Sequence, residues 1–191
     1  MIKPYFEEQD YSSVDFSQEE LVTGEYDNCL FSNCSFVETD ISEYQFTDCQ
    51  FINCDLSNAN ISNAIFRDVR FKDCKLLGLQ FNECNSHFFS ANFENCQLRL
   101  ASFYQRNLKG SSFINCPLHE VDFAECDLTK TKFQNCDFNN ALFNQTNLSK
   151  VDLSNCYNFI IDPERNNIVK AKFSQDQLPG LLRKYQILVS S

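Results

Sequence analysis

The residues of this chain best suited to chemistry are its eleven cysteines and two histidines. Thiols in such number suggest a disulfide framework or a metal cluster, although the odd count argues against complete internal pairing. Their spacing decides. Cys29, Cys34, Cys49, Cys54, Cys74 and Cys84 each stand two residues before a position of one five-residue register, and Cys96, Cys116, Cys126, Cys136 and Cys156 do the same in a second. Elsewhere that slot holds Ala59, Ala64, Ala91, Ala101, Ser111, Thr131, Ala141 or Val151. Cysteine thus serves as a small, buried, weakly polar side chain, and neither zinc nor redox chemistry is expected. His87 and His119 are isolated, no nucleophile stands at motif spacing from a base and an orienting acid, and no glycine-rich phosphate loop is present. The expectation is a protein that is not an enzyme and uses no cofactor or metal.

The register that places the thiols is a repeat of large apolar residues. Phe16, Leu21, Tyr26, Phe31, Phe36, Ile41, Phe46, Phe51, Leu56, Ile61, Phe66, Phe71, Leu76 and Phe81 follow one another at every fifth position. Two extra residues enter near 85–87, and the pattern resumes at Phe88 and runs through Phe93, Leu98 and Phe103 to Leu153. A step of five rotates successive side chains by about 140° around an α-helix and swaps faces in a flat strand. Each block must therefore turn a corner, and a few blocks must close a coil whose backbone pairs with the next coil at about 4.8 Å.

Outside the repeat, residues 1–13 read as an N-terminal cap, with the repeat itself covering 14–173. The pattern fails after Cys156, where a turn-rich excursion is expected over 157–167. In the last segment, 174–191, Ser174 is placed to cap a helix over 175–185, and β-prone Ile187, Leu188 and Val189 follow. Leu178, Leu181, Leu182, Tyr185, Ile187 and Val189 give this tail an apolar face suited to dimerisation. There is no basic start followed by an apolar run and no stretch of about 18 apolar residues, so neither a secretory signal nor a membrane contact is expected. Many thiols without a framework favour a reducing, cytoplasmic setting.

The motif of small residue, polar residue, Leu or Phe, and two further residues, as in Cys126 Asp127 Leu128 and Ala91 Asn92 Phe93, resembles the pentapeptide repeat family. The resemblance implies an all-β fold, a right-handed quadrilateral β-helix with four blocks per coil and about seven coils, followed by a short C-terminal helix. The segment from Ile161 Asp162 Pro163 Glu164 to Ile168, with Leu181 Leu182 Arg183 Lys184, is similar to the microcin B immunity protein and its Qnr and MfpA relatives. That likeness implies a DNA-mimicking homodimer that binds DNA gyrase or topoisomerase IV and protects it from a toxin or a quinolone. The two long loops typical of Gram-negative Qnr proteins are absent.

Charge gives the likeness a surface. Residues 1–60 hold 13 acidic side chains against Lys3 alone, within a net charge of −10. With four blocks per coil, one face carries Glu20, Asp40, Glu43, Glu83, Asp122 and Glu125 and no Lys or Arg, and an adjoining face adds Glu25, Asp27 and Asp48. A ladder of carboxylates is comparable in kind with duplex DNA, though sparser, and suits a basic DNA-binding partner, here a type II topoisomerase. The same acidity disfavours direct binding of nucleic acid. The alternative is a structural or adaptor solenoid for an unrelated protein, since any soluble solenoid needs a charged exterior.

Overall fold

A period of five needs a bend in every block, and the bend lies two residues after each centre. In the computed structural model, which describes residues 3–188, Asn28, Asn33, Glu38, Glu43, Asp48 and Asn53 adopt φ between 51° and 64°. Asn and Asp recur at this position because their short polar side chains tolerate the left-handed region. Four such corners return the chain to a point one rung higher. Tyr5 accordingly pairs with Glu25, Phe31 with Phe51 and Phe113 with Phe133, all in parallel.

Two faces of the resulting solenoid carry strands. β1 (Tyr5–Glu7), β3 (Glu25–Asp27), β5 (Gln45–Thr47) and β7 (Ile65–Arg67) stack in a four-stranded sheet. The longer sheet has seven rungs: β2 (Asp10–Ser12), β4 (Leu30–Ser32), β6 (Gln50–Ile52), β8 (Val69–Lys72), β9 (Ala91–Glu94), β10 (Ser112–Ile114) and β11 (Lys132–Gln134). Its first and last rungs are about six turns apart, in line with the expected coil number. We name the four sides by their centres in one coil: the Ile41, Phe46, Phe51 and Leu56 faces.

The Ile41 and Leu56 faces are built from turns rather than strands. Thr39 donates its N–H to the Phe36 carbonyl at 3.1 Å and Ala59 donates to Leu56 at 3.1 Å. The residue before the centre explains the difference. On turn faces it is often Asp or Asn, whose side chain accepts the N–H two residues on, as in Ser57 to Asp55 at 3.0 Å and Ser62 to Asn60 at 3.1 Å. On strand faces Leu30, Gln45, Gln50 and Ile65 stand there instead.

Inside, the centres stack rung on rung, with ring centroids 4.8 Å apart for Phe31–Phe51, 5.1 Å for Phe51–Phe71 and 4.8 Å for Phe93–Phe113. The small slot has a specific task. Cys54 Sγ donates to the Phe31 carbonyl at 3.3 Å, Cys126 to Phe103 at 2.8 Å, and Thr131 Oγ1 to Leu108 at 2.8 Å, each reaching the centre of the coil below. Thiol and hydroxyl thus satisfy buried carbonyls that alanine leaves to the backbone alone.

The ends differ from expectation, and at the insertion Phe88 is exposed while Phe89 packs against the core in its place. Residues 5–12 are not a separate cap: Phe6 and Tyr11 continue the register and stack on Tyr26 and Phe31, at 4.8 Å in each case. The inserted residues lengthen one coil, so that Phe71 pairs with Phe93 and Phe81 stacks on Phe103 at 4.7 Å with the face order kept. After Cys156 the core positions pass to Phe159 and Ile161, both buried, while Asn166 fills the small slot and donates to the Phe143 carbonyl at 3.2 Å.

The tail is not one helix over 175–185. It is a 3-10 turn (Gln175–Gln177), α1 (Pro179–Leu182) and a second 3-10 turn (Arg183–Tyr185), and Ser174 makes no side-chain cap. Pro179 lacks the N–H that a continuous helix needs, and a Cβ on Gly180 would collide with the Phe159 carbonyl oxygen. The tail instead lies across the last coil, with Leu181 packed on the core and Gly180 accepting the Ile161 N–H at 3.2 Å. Residues 187 and 188 form no strand, and Val189 lies outside the described residues.

Candidate protein-interaction surface

The eleven thiols are buried and unpaired. Burial pushes Cys49, Cys84 and Cys126 up to about 12, far from the range in which a thiolate attacks or ligates. Among the described residues no group of three or more His, Cys, Asp or Glu is placed to hold a metal ion. Nor is any helix among them long and apolar enough to cross a membrane. What the rod offers a partner is therefore its exterior.

The turn geometry of the Ile41 face fixes where the expected acidic residues stand. Glu20, Asp40 and Asp122 precede their centres, whereas Glu43 and Glu125 occupy left-handed corners with φ of 64° and 57°. Glu83 lies in a 3-10 turn (Phe81–Glu83) at the insertion. Glu25 and Asp27 flank Tyr26 on the Phe46 face, and Asp48 holds the next corner with φ 52°. Six of the nine thus crowd the first coils, and Asp122 and Glu125 stand apart from them beyond the neutral Asn60, Gln80 and Ser102.

Some of these carboxylates also build the backbone. Asp40 Oδ1 accepts the Ser42 N–H at 2.9 Å and the Asn60 amide at 3.0 Å, and Asp122 Oδ1 accepts the Ala124 N–H at 2.8 Å. Hydrogen bonds from Ser42 hold the Asp40 carboxyl below its ordinary value, so it stays charged. Glu83 takes the Ser62 hydroxyl at 3.0 Å, Glu125 the Tyr104 hydroxyl at 3.0 Å, and Asp27 the Tyr5 hydroxyl at 3.0 Å. These bonds orient the charge without cancelling it. Lys3 reaches the carbonyl of Glu43, at 2.8 Å, rather than its carboxylate.

Ion pairs form on the other faces. Asp55 meets Lys75 at 3.4 Å, Glu120 meets Arg99 at 2.9 Å, Asp127 meets Lys109 at 2.7 Å and Asp137 meets His119 at 3.0 Å, all between adjacent coils. Among the described residues, none of the nine carboxylates lies within ion-pair distance of a cation. Exposed pairs add little stability, but three of them offset carboxylates of the Leu56 face beyond its first coils, where among the described residues Asp15 and Glu38 stay unpaired, and the fourth lies on the Phe46 face. The Phe46 face changes sign along the rod, because Arg67, Lys109, Lys130 and Lys150 follow its early acids, a reversal that listing only its carboxylates conceals.

Of the residues expected at a dimer contact, Leu178, Tyr185 and Ile187 are exposed, whereas Leu181 and Leu182 are half-buried and Leu181 is occupied with the end coil. Ile160 is exposed beside them, across a hollow of about 600 Å³ that Pro179, Arg183 and Ile187 also line.

Sequence reasoning missed Arg106, which sits in a small slot and is 5% exposed. Its Nη2 donates to the carbonyls of Asn82 and Cys84, freed where the inserted residues break the ladder. The signal was available: a charged residue in a column otherwise holding Gly24, Tyr44, Ala64, Cys84, Cys126 and Thr146.

The comparisons agree with this architecture. HetL, a pentapeptide repeat protein involved in heterocyst differentiation regulation in the cyanobacterium Nostoc sp. strain PCC 7120, is similar with a TM-score of 0.71 at 14% identity, over 91% of this chain and 86% of that one. QnrB1, a plasmid-mediated fluoroquinolone resistance protein, is similar with a TM-score of 0.54 at 18% identity, over 96% of this chain and 100% of that one. At such identities the likeness is one of fold. No curated protein matches the sequence. The model of the pentapeptide repeat region matches residues 44–85 and 86–158, more than half of the chain, which therefore belongs to the pentapeptide repeat family.

Proposed function

We propose that this solenoid is a non-catalytic, cytoplasmic protein that imitates DNA, occupies part of the DNA-binding saddle of DNA gyrase or topoisomerase IV, and shields the enzyme from a toxin or a quinolone. The observation that carries the reading is the set of nine carboxylates without cationic partners, held by corners and side-chain hydrogen bonds on the Ile41 face and the early Phe46 face. Fixed charges on a rigid rod need no reorganisation on docking, so a basic saddle meets them at low entropic cost. The fold likeness to QnrB1 and the tail motif support the partner class. Homodimerisation through the exposed Leu178, Tyr185 and Ile187 belongs to the same proposal, with Val189 as a further expected contact.

A supercoiling assay with purified gyrase at graded protein, with and without a quinolone or microcin, tests it. Reduced poisoning or reduced supercoiling is expected; unchanged activity and unchanged poisoning at saturating protein would reject the reading. The second reading, an adaptor solenoid serving another protein, is favoured by the likeness to HetL, whose described role is regulatory. Release from a partner column distinguishes the two, because a DNA mimic elutes steeply with salt.

A further inference from the structure

One corner of the rod changes sign along its length. Between the Phe46 and Phe51 faces the corner column reads Glu8, Asn28, Asp48 and Asp68, passes the bulge at residues 85–90, and continues with Gly110, Lys130, Lys150 and Lys170. Every lysine of the chain with positive φ is in this column, at 66°, 63° and 59°. Three successive coils thus accept a strained backbone and place like charges about 4.8 Å apart. No core contact calls for lysine there, and none of the three has an ion-pair partner among the described residues. Asp48 is likewise unpaired, and Asp68 takes only the Ser90 hydroxyl, at 2.9 Å.

We infer that this edge binds a second copy of the chain, side by side and antiparallel. A two-fold axis crossing the rod between the bulge and Gly110 places Asp48 against Lys150 of the second copy and Asp68 against Lys130, and repeats both pairs by symmetry. The same axis sets the bulge opposite Gly110. There the exposed Phe88, held by the Arg67 guanidinium 4.5 Å above its ring, meets a corner where an added Cβ would touch nothing within 4 Å. A hollow of about 560 Å³ lined by Asp27, Asp48, Asp68 and Arg70 receives the lysines. A long polyanion is a poorer occupant, because the acidic half of the edge repels it. The inference goes beyond the proposed function and shares only Asp27 and Asp48 with its acidic surface.

Sedimentation velocity of the full chain tests it, in a Leu178→Asp/Ile187→Asp background that removes the tail contact. Association is expected at about 50 mM salt and is lost by about 500 mM, where screening shortens to a few ångströms. In that background Asp48→Lys/Asp68→Lys and Lys130→Glu/Lys150→Glu each weaken self-association at least tenfold. Both substitutions use corners that already accept such residues, so folding is preserved. Mixing the two variants restores association, because one edge is then basic from position 48 to Lys170 and the other acidic at 48, 68, 130 and 150. A monomer at low salt, self-association indifferent to both double variants, or a mixture that stays apart would overturn the inference, while leaving the supercoiling result untouched.

Discussion

Arg106 donates from Nη2 to the Asn82 carbonyl oxygen at 2.7 Å, bridging the one coil boundary that the inserted residues disturb. In slots such as those of Cys54, Cys126 and Thr131 a thiol or hydroxyl suffices, since the carbonyl it serves lies directly below. Here the carbonyls are displaced, and a longer side chain is needed. Removing it strands buried acceptors, each worth about 1–3 kcal/mol. Arg106→Ala should destabilise by about 3 kcal/mol in urea unfolding. Deleting Ser86 and His87 in the same variant should recover much of the loss, by restoring the twenty-residue register.

The acidic face has to be tested without breaking its turns. Asp40 and Asp122 accept backbone N–H groups, as asparagine does at Asn60, where Ser62 donates at 3.1 Å. Asp40→Asn with Asp122→Asn should therefore leave stability within about 0.5 kcal/mol while weakening topoisomerase binding severalfold. Lysine at the same positions loses the turn as well as the charge, so calorimetry beside a binding titration should show both changing together.

The tail is latched by Lys184, whose Nζ lies 2.6 Å from Asp162 and 2.6 Å from Glu164, and Tyr185 donates to Glu164 at 2.8 Å. Hydrogen bonding from Lys184 holds both carboxyls below their ordinary values of 3.8 and 4.5. Depressed folded values mean that the latch is complete above about pH 5 and is lost as pH falls through them. Hydrogen exchange of the amides in 178–186, corrected for the intrinsic effect of pH on exchange, should be fast at pH 3 and protected at pH 7. Lys184→Met should abolish that difference.

Dimerisation separates inward from outward leucines. Leu178→Asp and Ile187→Asp should yield monomers by light scattering at about 500 mM salt, where the charged edge is screened, with the melting temperature little changed. Leu181→Asp should lower the melting temperature by several degrees, because Leu181 packs on the end coil.

The thiols should be silent in the folded protein. A thiol-specific reagent at pH 8 should label none quickly and all eleven after denaturation. Cys126→Ser should be milder than Cys126→Ala, since serine keeps the donor that meets the Phe103 carbonyl at 2.8 Å.

Periodic features were readable because each recurs: Phe at the centre, Cys or Ala in the slot. Phe6 and Tyr11 obeyed the same count but were hidden by the irregular acidic residues around them. Features that occur once were not readable. Arg106 compensates for an insertion whose consequence is felt a full coil later, and Gly180 is required by a carbonyl at Phe159, far away in sequence. The acidic face was legible as a list of residues. Its isolation was not, because whether a carboxylate is neutralised depends on cations twenty positions away, such as Lys75 for Asp55 and Lys109 for Asp127.

The stacking of each coil only on its neighbours also decides how the rod comes apart. With the C-terminal end closed by the latched tail, unravelling should begin at the other end, where β1 and β2 have neighbours on one side alone. It should pause at the bulge, where hydrogen bonds from Arg106 replace the regular ladder. The molecule would then unzip in two stages rather than one, shedding its acidic half first and keeping the lysine-bearing half folded.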